Sequence, residues 1–184
     1  MVNDKMVNVF IYPNPAFTPE TRILPDGTLV AHYLDTPVWC SLAGAMYVLE
    51  GATFKHRTVS GLKPQKNYGR KSPNGWTVGN CYPHFYYRGT NYYAHKVMAL
   101  SWIGPRPQGW QIDHLNGDIR NWCITNLRIV TIAENYRCAL ILRERRLIAA
   151  QDNDPSKDPL NMRPDDLLAL FTAHNLAGDV YEGD

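Results

Sequence analysis

This chain of 184 residues has little of what marks a membrane, secreted or repeat protein. No apolar run approaches the ~20 residues that a bilayer span needs. The chain does not open with a charged segment followed by an apolar one, so no secretory leader is expected. The four cysteines, Cys40, Cys81, Cys123 and Cys138, stand far apart and form no C-x-x-C pair. That spacing argues against a disulfide framework or a zinc ribbon, and reduced thiols in the cytoplasm are the expectation. Cys81, His84 and His95 offer three zinc donors, with no fourth in register. No internal repeat is present. The length suits one ordinary domain with appendages.

Charge is small in sum and segregated in place. The net is +2, yet between Thr53 and Arg146 there are 15 Lys/Arg against 4 Asp/Glu. Residues 1–52 carry 2 basic and 5 acidic side chains, and residues 147–184 carry 2 and 8. A basic middle between acidic ends suits a polyanionic partner, although a solvated basic face gives the same count. Six of the bases, Lys55, Arg57, Lys63, Lys66, Arg70 and Lys71, crowd into Thr53–Gly75. That tract is punctuated by Gly and Pro and reads as a DNA-tracking loop or a linker.

Hydrophobic periodicity and turn residues give a coarse map. Pro25-Asp26-Gly27-Thr28 signals a turn between short strands. Ser41 to Leu49 reads as a short helix ending near Gly51. His84 to Arg88 and Asn91 to His95, around Gly89-Thr90, read as an aromatic β-hairpin, with its Tyr and Phe side chains mainly core and otherwise available to stack on bases. Lys96 to Trp102 reads as a helix stopped by Gly104-Pro105. Gln111 to His114 is a strand, Leu115 to Thr125 a loop and Asn126 to Val130 a return strand. Thr131-Ile132-Ala133-Glu134 is a capping box opening a helix that runs to about Arg146. Gln151 to Met162 is a polar linker. Pro164-Asp165-Asp166 opens a last amphipathic helix that stops near Gly178.

The polar residues around the second strand pair form an ordered series. Ile112-Asp113-His114-Leu115-Asn116-Gly117 is followed by Asn121, Asn126-Leu127-Arg128, Thr131 and Glu134-Asn135. Upstream stands Tyr92-Tyr93-Ala94-His95-Lys96-Val97-Met98-Ala99-Leu100. Together these residues resemble the HNH endonucleases of the ββα-metal fold, over about Gly75 to Cys138. The resemblance implies an α+β protein: a ββα-metal HNH nuclease core at 75–148, with the aromatic hairpin and helix leading into it. A small β-rich N-terminal region of unassigned role would occupy 1–74, and an acidic linker with the C-terminal helix 149–184. Arg120-Asn121-Trp122 departs from the family's Asp-Asn-Arg, and Cys138 stands where asparagine is common.

The chemistry suits the residue types. Phosphodiester hydrolysis needs an activated water, an electrophilic centre on the phosphate and stabilisation of the leaving oxygen. An imidazole titrates near neutrality, a carboxylate is a hard ligand, and an amide carbonyl adds a neutral one. Carried from the family onto matching positions, His114 is the general base, Asp113 and Asn135 hold one Mg²⁺ or Mn²⁺ per site, and Asn126 orients the loop. His95 is expected to be structural. Neighbouring strand residues face opposite ways, so Asp113 and His114 can serve one phosphate only if the strand ends at His114.

The expected DNA contacts are Lys63, Lys66, Arg70, Lys71, Arg128, Arg137 and Arg143, and the expected partner is double-stranded DNA. The resemblance further implies products with a 5′-phosphate and a 3′-hydroxyl. A monomer would nick one strand at a time, and double-strand cutting would need a homodimer or two events. The alternatives are a non-catalytic DNA-binding module, or a nuclease subunit of a phage packaging or recombination assembly that docks on a phage protein through its last helix. The expected setting is the cytoplasm of a bacterium or an infected host.

Overall fold

The computed structural model describes residues 16–60, 71–72, 75–76 and 82–178. The protein is a mixed α+β chain with three helices and antiparallel sheets. It forms two compact units. One contains Pro107–Asp118 and everything described from Arg128 onward. The other contains the described residues up to Arg106 together with Ile119–Leu127.

In the second unit, β1 (Thr21–Ile23), β2 (Leu29–His32), β3 (Val38–Ser41), β4 (Met46–Glu50) and β5 (Thr53–Arg57) form an antiparallel meander in sequence order. The expected Pro25–Thr28 turn is present, with Gly27 at φ 86° and the Asp26 carboxylate accepting from the Thr28 amide. The helix expected over Ser41–Leu49 is corrected to the end of β3, a turn and most of β4. Gly44 sits at φ 87°, a left-handed conformation that breaks a helix mid-run. Met46 and Val48 are buried while Tyr47 and Leu49 are less so, the period of two that a strand imposes. The start of the Thr53–Gly75 tract is likewise β5 rather than loop. Leu24, Val30 and Trp39 form a core against Tyr47, Leu49 and Phe54.

Two-residue strands β6 (Lys71–Ser72) and β7 (Gly75–Trp76) pair with each other. β8 (His84–Tyr87) and β9 (Thr90–Tyr93) form the expected aromatic hairpin. Its turn is Arg88–Gly89, one residue earlier than expected, with both residues at positive φ as a tight right-twisted hairpin requires. Helix α1 (Ala94–Trp102) follows at once and packs on β2 and β3 through an apolar face that includes Val97 and Met98.

In the first unit, β10 (Trp110–His114) pairs with β11 (Leu127–Thr131), and α2 (Ile132–Asp152) packs on β10. The capping box is present in both directions: Thr131 Oγ1 accepts from the Glu134 amide at 3.2 Å, and Glu134 Oε2 accepts from the Thr131 amide at 2.9 Å. The helix runs six residues past the expected Arg146, because Leu147 to Ala150 are good helix formers, and Asn153 caps it at φ 51°. Two 3-10 turns, Pro155–Lys157 and Pro159–Asn161, lead into α3 (Pro164–Gly178). Leu167, Leu170 and Phe171 of α3 share one core with Leu115, Cys138, Ile141 and Leu142. Through that face α3 is part of the core of its unit.

Thr131→Ala removes one donor–acceptor pair of the box and loosens the other. It is expected to destabilise the chain by about 1 kcal/mol. Urea unfolding reads this as a lower midpoint at constant slope, and an unchanged midpoint would show that the cap is idle.

Candidate active site

β10 sorts the polar residues by face. Gln111 and Asp113 are two apart on one strand and share a side. Asn135, in the first turn of α2, donates its Nδ2 to Gln111 Oε1 at 2.5 Å. The two side chains expected as metal ligands therefore stand on the same face of β10, and Asn135 keeps its carbonyl oxygen as an acceptor. Gln111 escaped the sequence reading; its position two before Asp113 was the available signal.

Asp113 does not stand alone. Arg128 of β11 donates Nε at 2.9 Å and Nη2 at 2.6 Å, both to Asp113 Oδ2. The Arg128 side chain is only 1% exposed, and that of Asp113 13%. The guanidinium also lies over the Phe171 ring, 4.5 Å from its centroid. Arg128 was expected to touch DNA, and that expectation is corrected: it is buried between a carboxylate and an aromatic face, out of reach of a phosphate backbone. A lone arginine inside Leu127-Arg128-Ile129-Val130, whose neighbours are all buried, was the sequence sign of such a pair. Burial raises the Asp113 carboxyl above its ordinary value, against the pull of Arg128. Burial also raises the Cys138 thiol, which Arg128 opposes. Cys138 is thus an apolar filler in the α2 core, at the position where the family pattern carries asparagine.

His114 ends β10. The chain turns immediately, with the Gly117 amide donating to the His114 carbonyl at 2.8 Å and Gly117 at φ 70°. A side chain at Gly117 would also stand 2.8 Å from Arg146 Nη2 and 3.2 Å from Leu142 Cδ1, so a substitution would strain the backbone and displace the Arg146 guanidinium. Arg146 donates Nη2 to the Asn116 carbonyl, and Asn116 Oδ1 accepts from the Asp118 amide. The His114 side chain is buried, and burial pushes its pKa down to about 4, with Asp118 pulling the other way. Near neutral pH the imidazole is uncharged and carries a lone pair that can accept a proton.

Asn126 belongs to the other unit. It is buried at the end of a 3-10 turn (Ile124–Asn126) and donates Nδ2 to the Asn121 carbonyl at 2.9 Å. The same segment is anchored by Trp122, whose Nε1 donates to the Gly44 carbonyl at 3.0 Å. His95, in the first turn of α1, is buried with its ring 4.5 Å from that of Tyr82. Among the described residues, no group of three or more His, Cys, Asp or Glu could hold a metal ion. A cation here would depend on Asp113 and the neutral Asn135.

Of the expected DNA contacts, Arg137 and Arg143 lie at exposed positions of α2. Lys71 lies on β6. Lys63, Lys66 and Arg70 fall outside the described residues. Lys55 and Arg57, in the same basic tract, are both paired with Glu50 on the adjoining strand.

Removing Arg128 would leave a mostly buried carboxylate uncompensated. Arg128→Met is expected to cost about 3–5 kcal/mol. Much of the loss should return in the double variant with Asp113→Asn, which removes the stranded charge. Chemical denaturation of the two single variants and the double checks this, and strict additivity would deny the coupling.

Residues 92–137 match a family model described as HNH endonuclease. No curated protein and no solved structure matches the chain significantly. The matched segment runs from β9 into α2 and contains Asp113, His114, Asn126 and Asn135. Members of this family generally use a divalent metal and act on DNA, so the match suggests nuclease activity. The likeness is confined to this segment of the chain.

Proposed function

We propose that the protein is a metal-dependent HNH endonuclease that nicks or cuts double-stranded DNA, with β10, β11 and α2 as its ββα-metal core. One observation carries the reading. Asp113 and Asn135 share a face of β10, while the chain leaves the strand directly after His114 through a turn in which Gly117 takes a φ of 70°. His114 is the last residue of β10, so base and ligands can serve one phosphate only through a departure from alternation there, next to the turn at Gly117.

In this reading His114 accepts a proton from the attacking water. Burial keeps it neutral at working pH and also makes it a weaker base than a free imidazole, so the bound substrate must raise its basicity. Asp113 and Asn135 would hold the divalent ion, which supplies charge stabilisation for the phosphate and the leaving oxygen. Arg128 fixes the carboxylate through Oδ2. Asn126 braces its own loop through the Asn121 carbonyl. Arg137 and Arg143 are the candidate phosphate contacts on α2, and Lys63, Lys66, Arg70 and Lys71 those of the basic tract.

The formal charges of Asp113 and Arg128 cancel, so a cation meets a site with no net negative charge. Free protein should therefore bind Mg²⁺ or Mn²⁺ weakly, and bound DNA should tighten it by lending a phosphate ligand. Calorimetric titration of metal into His114→Ala protein, with and without duplex DNA, checks this. Equal affinity in the two arms would place the ligands wholly on the protein and contradict the scheme.

Supercoiled plasmid is the direct test of activity. Relaxed circles are expected with Mg²⁺, and their formation should stop with EDTA and fall at least a hundredfold in His114→Ala, the range expected for a lost general base. Undiminished nicking in His114→Ala would sink the assignment of the base. A second reading, a DNA-binding module without chemistry, is favoured by one fact: His114 is only 5% exposed. It would be adopted if binding were tight and salt-sensitive with no metal-dependent product.

A further inference from the structure

The β8–β9 hairpin has two unlike faces. Cross-strand partners are His84 with Tyr93, Phe85 with Tyr92, Tyr86 with Asn91 and Tyr87 with Thr90. Alternation puts Phe85, Tyr87 and Tyr92 on one side. That side is inward: Phe85 and Tyr87 are buried, and Tyr92 stacks on Phe85 and meets Tyr33 edge-on. The other side carries His84, Tyr86, Asn91 and Tyr93. Tyr86 is 67% exposed and Tyr93 37%. Lys96, at the start of α1, holds its Nζ 5.2 Å from the Tyr93 ring centroid.

An exposed tyrosine is ordinary by itself. The sequence around this pair is basic. From Gly51 to Ile112 it has nine Lys/Arg and no Asp or Glu, and of these Lys55 and Arg57 pair with Glu50 while Lys96 stands at Tyr93. A face of rings and amide with a lysine beside it, in a long stretch free of acids, suits a polyanion whose rings can stack. A protein partner would gain little from so one-sided a charge, and bare phosphate would have no use for the rings. Base–aromatic stacking contributes roughly 1–3 kcal/mol per base and tolerates any sequence, while cationic side chains follow the backbone.

We infer that the solvent face of the β8–β9 hairpin, His84, Tyr86, Asn91 and Tyr93 with Lys96, is a stacking surface for unpaired bases of DNA. It rests on the nuclease reading only in taking DNA as the ligand. Tyr86 and Tyr93 take bases on their rings, and Lys96 takes a neighbouring phosphate. The preferred substrate is therefore DNA with a single-stranded or splayed portion.

The test uses the full chain carrying His114→Ala, so that DNA is not consumed. Fluorescein-labelled single strand, splayed-arm fork and blunt duplex of one sequence are titrated and followed by anisotropy. Tyr86→Ala and Tyr93→Ala should each weaken single-strand and fork binding by roughly fivefold to a hundredfold, with blunt duplex little changed. Tyr86→Phe keeps the ring and should bind as the parent does. The salt dependence should be unaltered in Tyr86→Ala and shallower by about one ion in Lys96→Met. Circular dichroism of each variant separates misfolding from lost contact. Parent-like affinity of both alanine variants on every DNA would overturn the inference, as would an equal loss on blunt duplex. Plasmid nicking is scored separately with His114 intact. Its absence alongside these tyrosine effects would sink the nuclease reading and leave the stacking face standing. Nicking with indifferent tyrosines would do the reverse.

Discussion

The contact between Asp113 and Arg128 constrains more of this molecule than any other. A carboxylate and a guanidinium taken out of water each lose several kcal/mol of hydration, and their attraction repays this only when geometry is good and the remaining donors are accommodated. Here both donated bonds fall on one oxygen, Nη1 is buried without a hydrogen-bond partner among the described residues, and the delocalised cation rests on the Phe171 ring. Arginine can do this and lysine cannot, because a planar fork is needed to make two bonds and a stack at once. The pair therefore does more to set direction than to add stability. It fixes where the Asp113 carboxylate points, and it requires β10, β11 and α3 to be in place together.

That requirement gives the C-terminal helix its role. By charge alone, residues 147–184 look like an acidic appendage, and a docking element is a fair expectation. Yet Leu167, Leu170 and Phe171 are buried with residues of α2 and with Leu115, which follows His114 directly. The helix closes the back of the β10–β11–α2 layer, and its ring supports the arginine that holds the carboxylate. The surplus acids in its first turn, Asp165 and Asp166, serve the helix N-terminus, and Asp166 also pairs with exposed Arg163. The segregation of charge along the chain therefore has a local cause at the acidic end. In the basic middle, Glu50 pairs with Lys55 and Arg57, and Asp113 with Arg128.

The strand, loop, strand, helix order from Trp110 to Asp152 was legible because each boundary carries a local chemical sign. Thr131 and Glu134 write a capping box, Gly117 a left-handed turn, and Pro164 a helix start. The aromatic hairpin was legible for the same reason, with its turn displaced by one residue because Arg88 adopts a positive φ that sequence reading reserves for glycine. The N-terminal sheet was misread where Ser41–Leu49 has the apolar content of either a helix or a strand, and only tertiary pairing decides between them. Arg128 was misread for a deeper reason. A charge count gives a residue's sign and not its burial, and the partner that buries it lies fifteen residues away on another strand. Phe171 and Trp122 carry no local sign at all; their parts are set by contacts between elements.

Trp122 shows how a departure from a family pattern can be absorbed by the rest of a chain. The family's arginine at this place would be a polar side chain on a loop. Tryptophan instead buries most of a large apolar ring system and needs a partner for a single N–H. The Gly44 carbonyl supplies that partner, and Gly44 is also the place where a side chain could not stand: a Cβ there would be 2.8 Å from Trp122 Nε1. The glycine is thus required twice, once for its left-handed backbone in the β3–β4 turn and once for the indole. A five-stranded sheet with no assigned chemistry thereby acquires a definite mechanical task, since it holds the Ile119–Leu127 segment, and with it Asn126, by a contact that neither the loop nor the sheet could make alone.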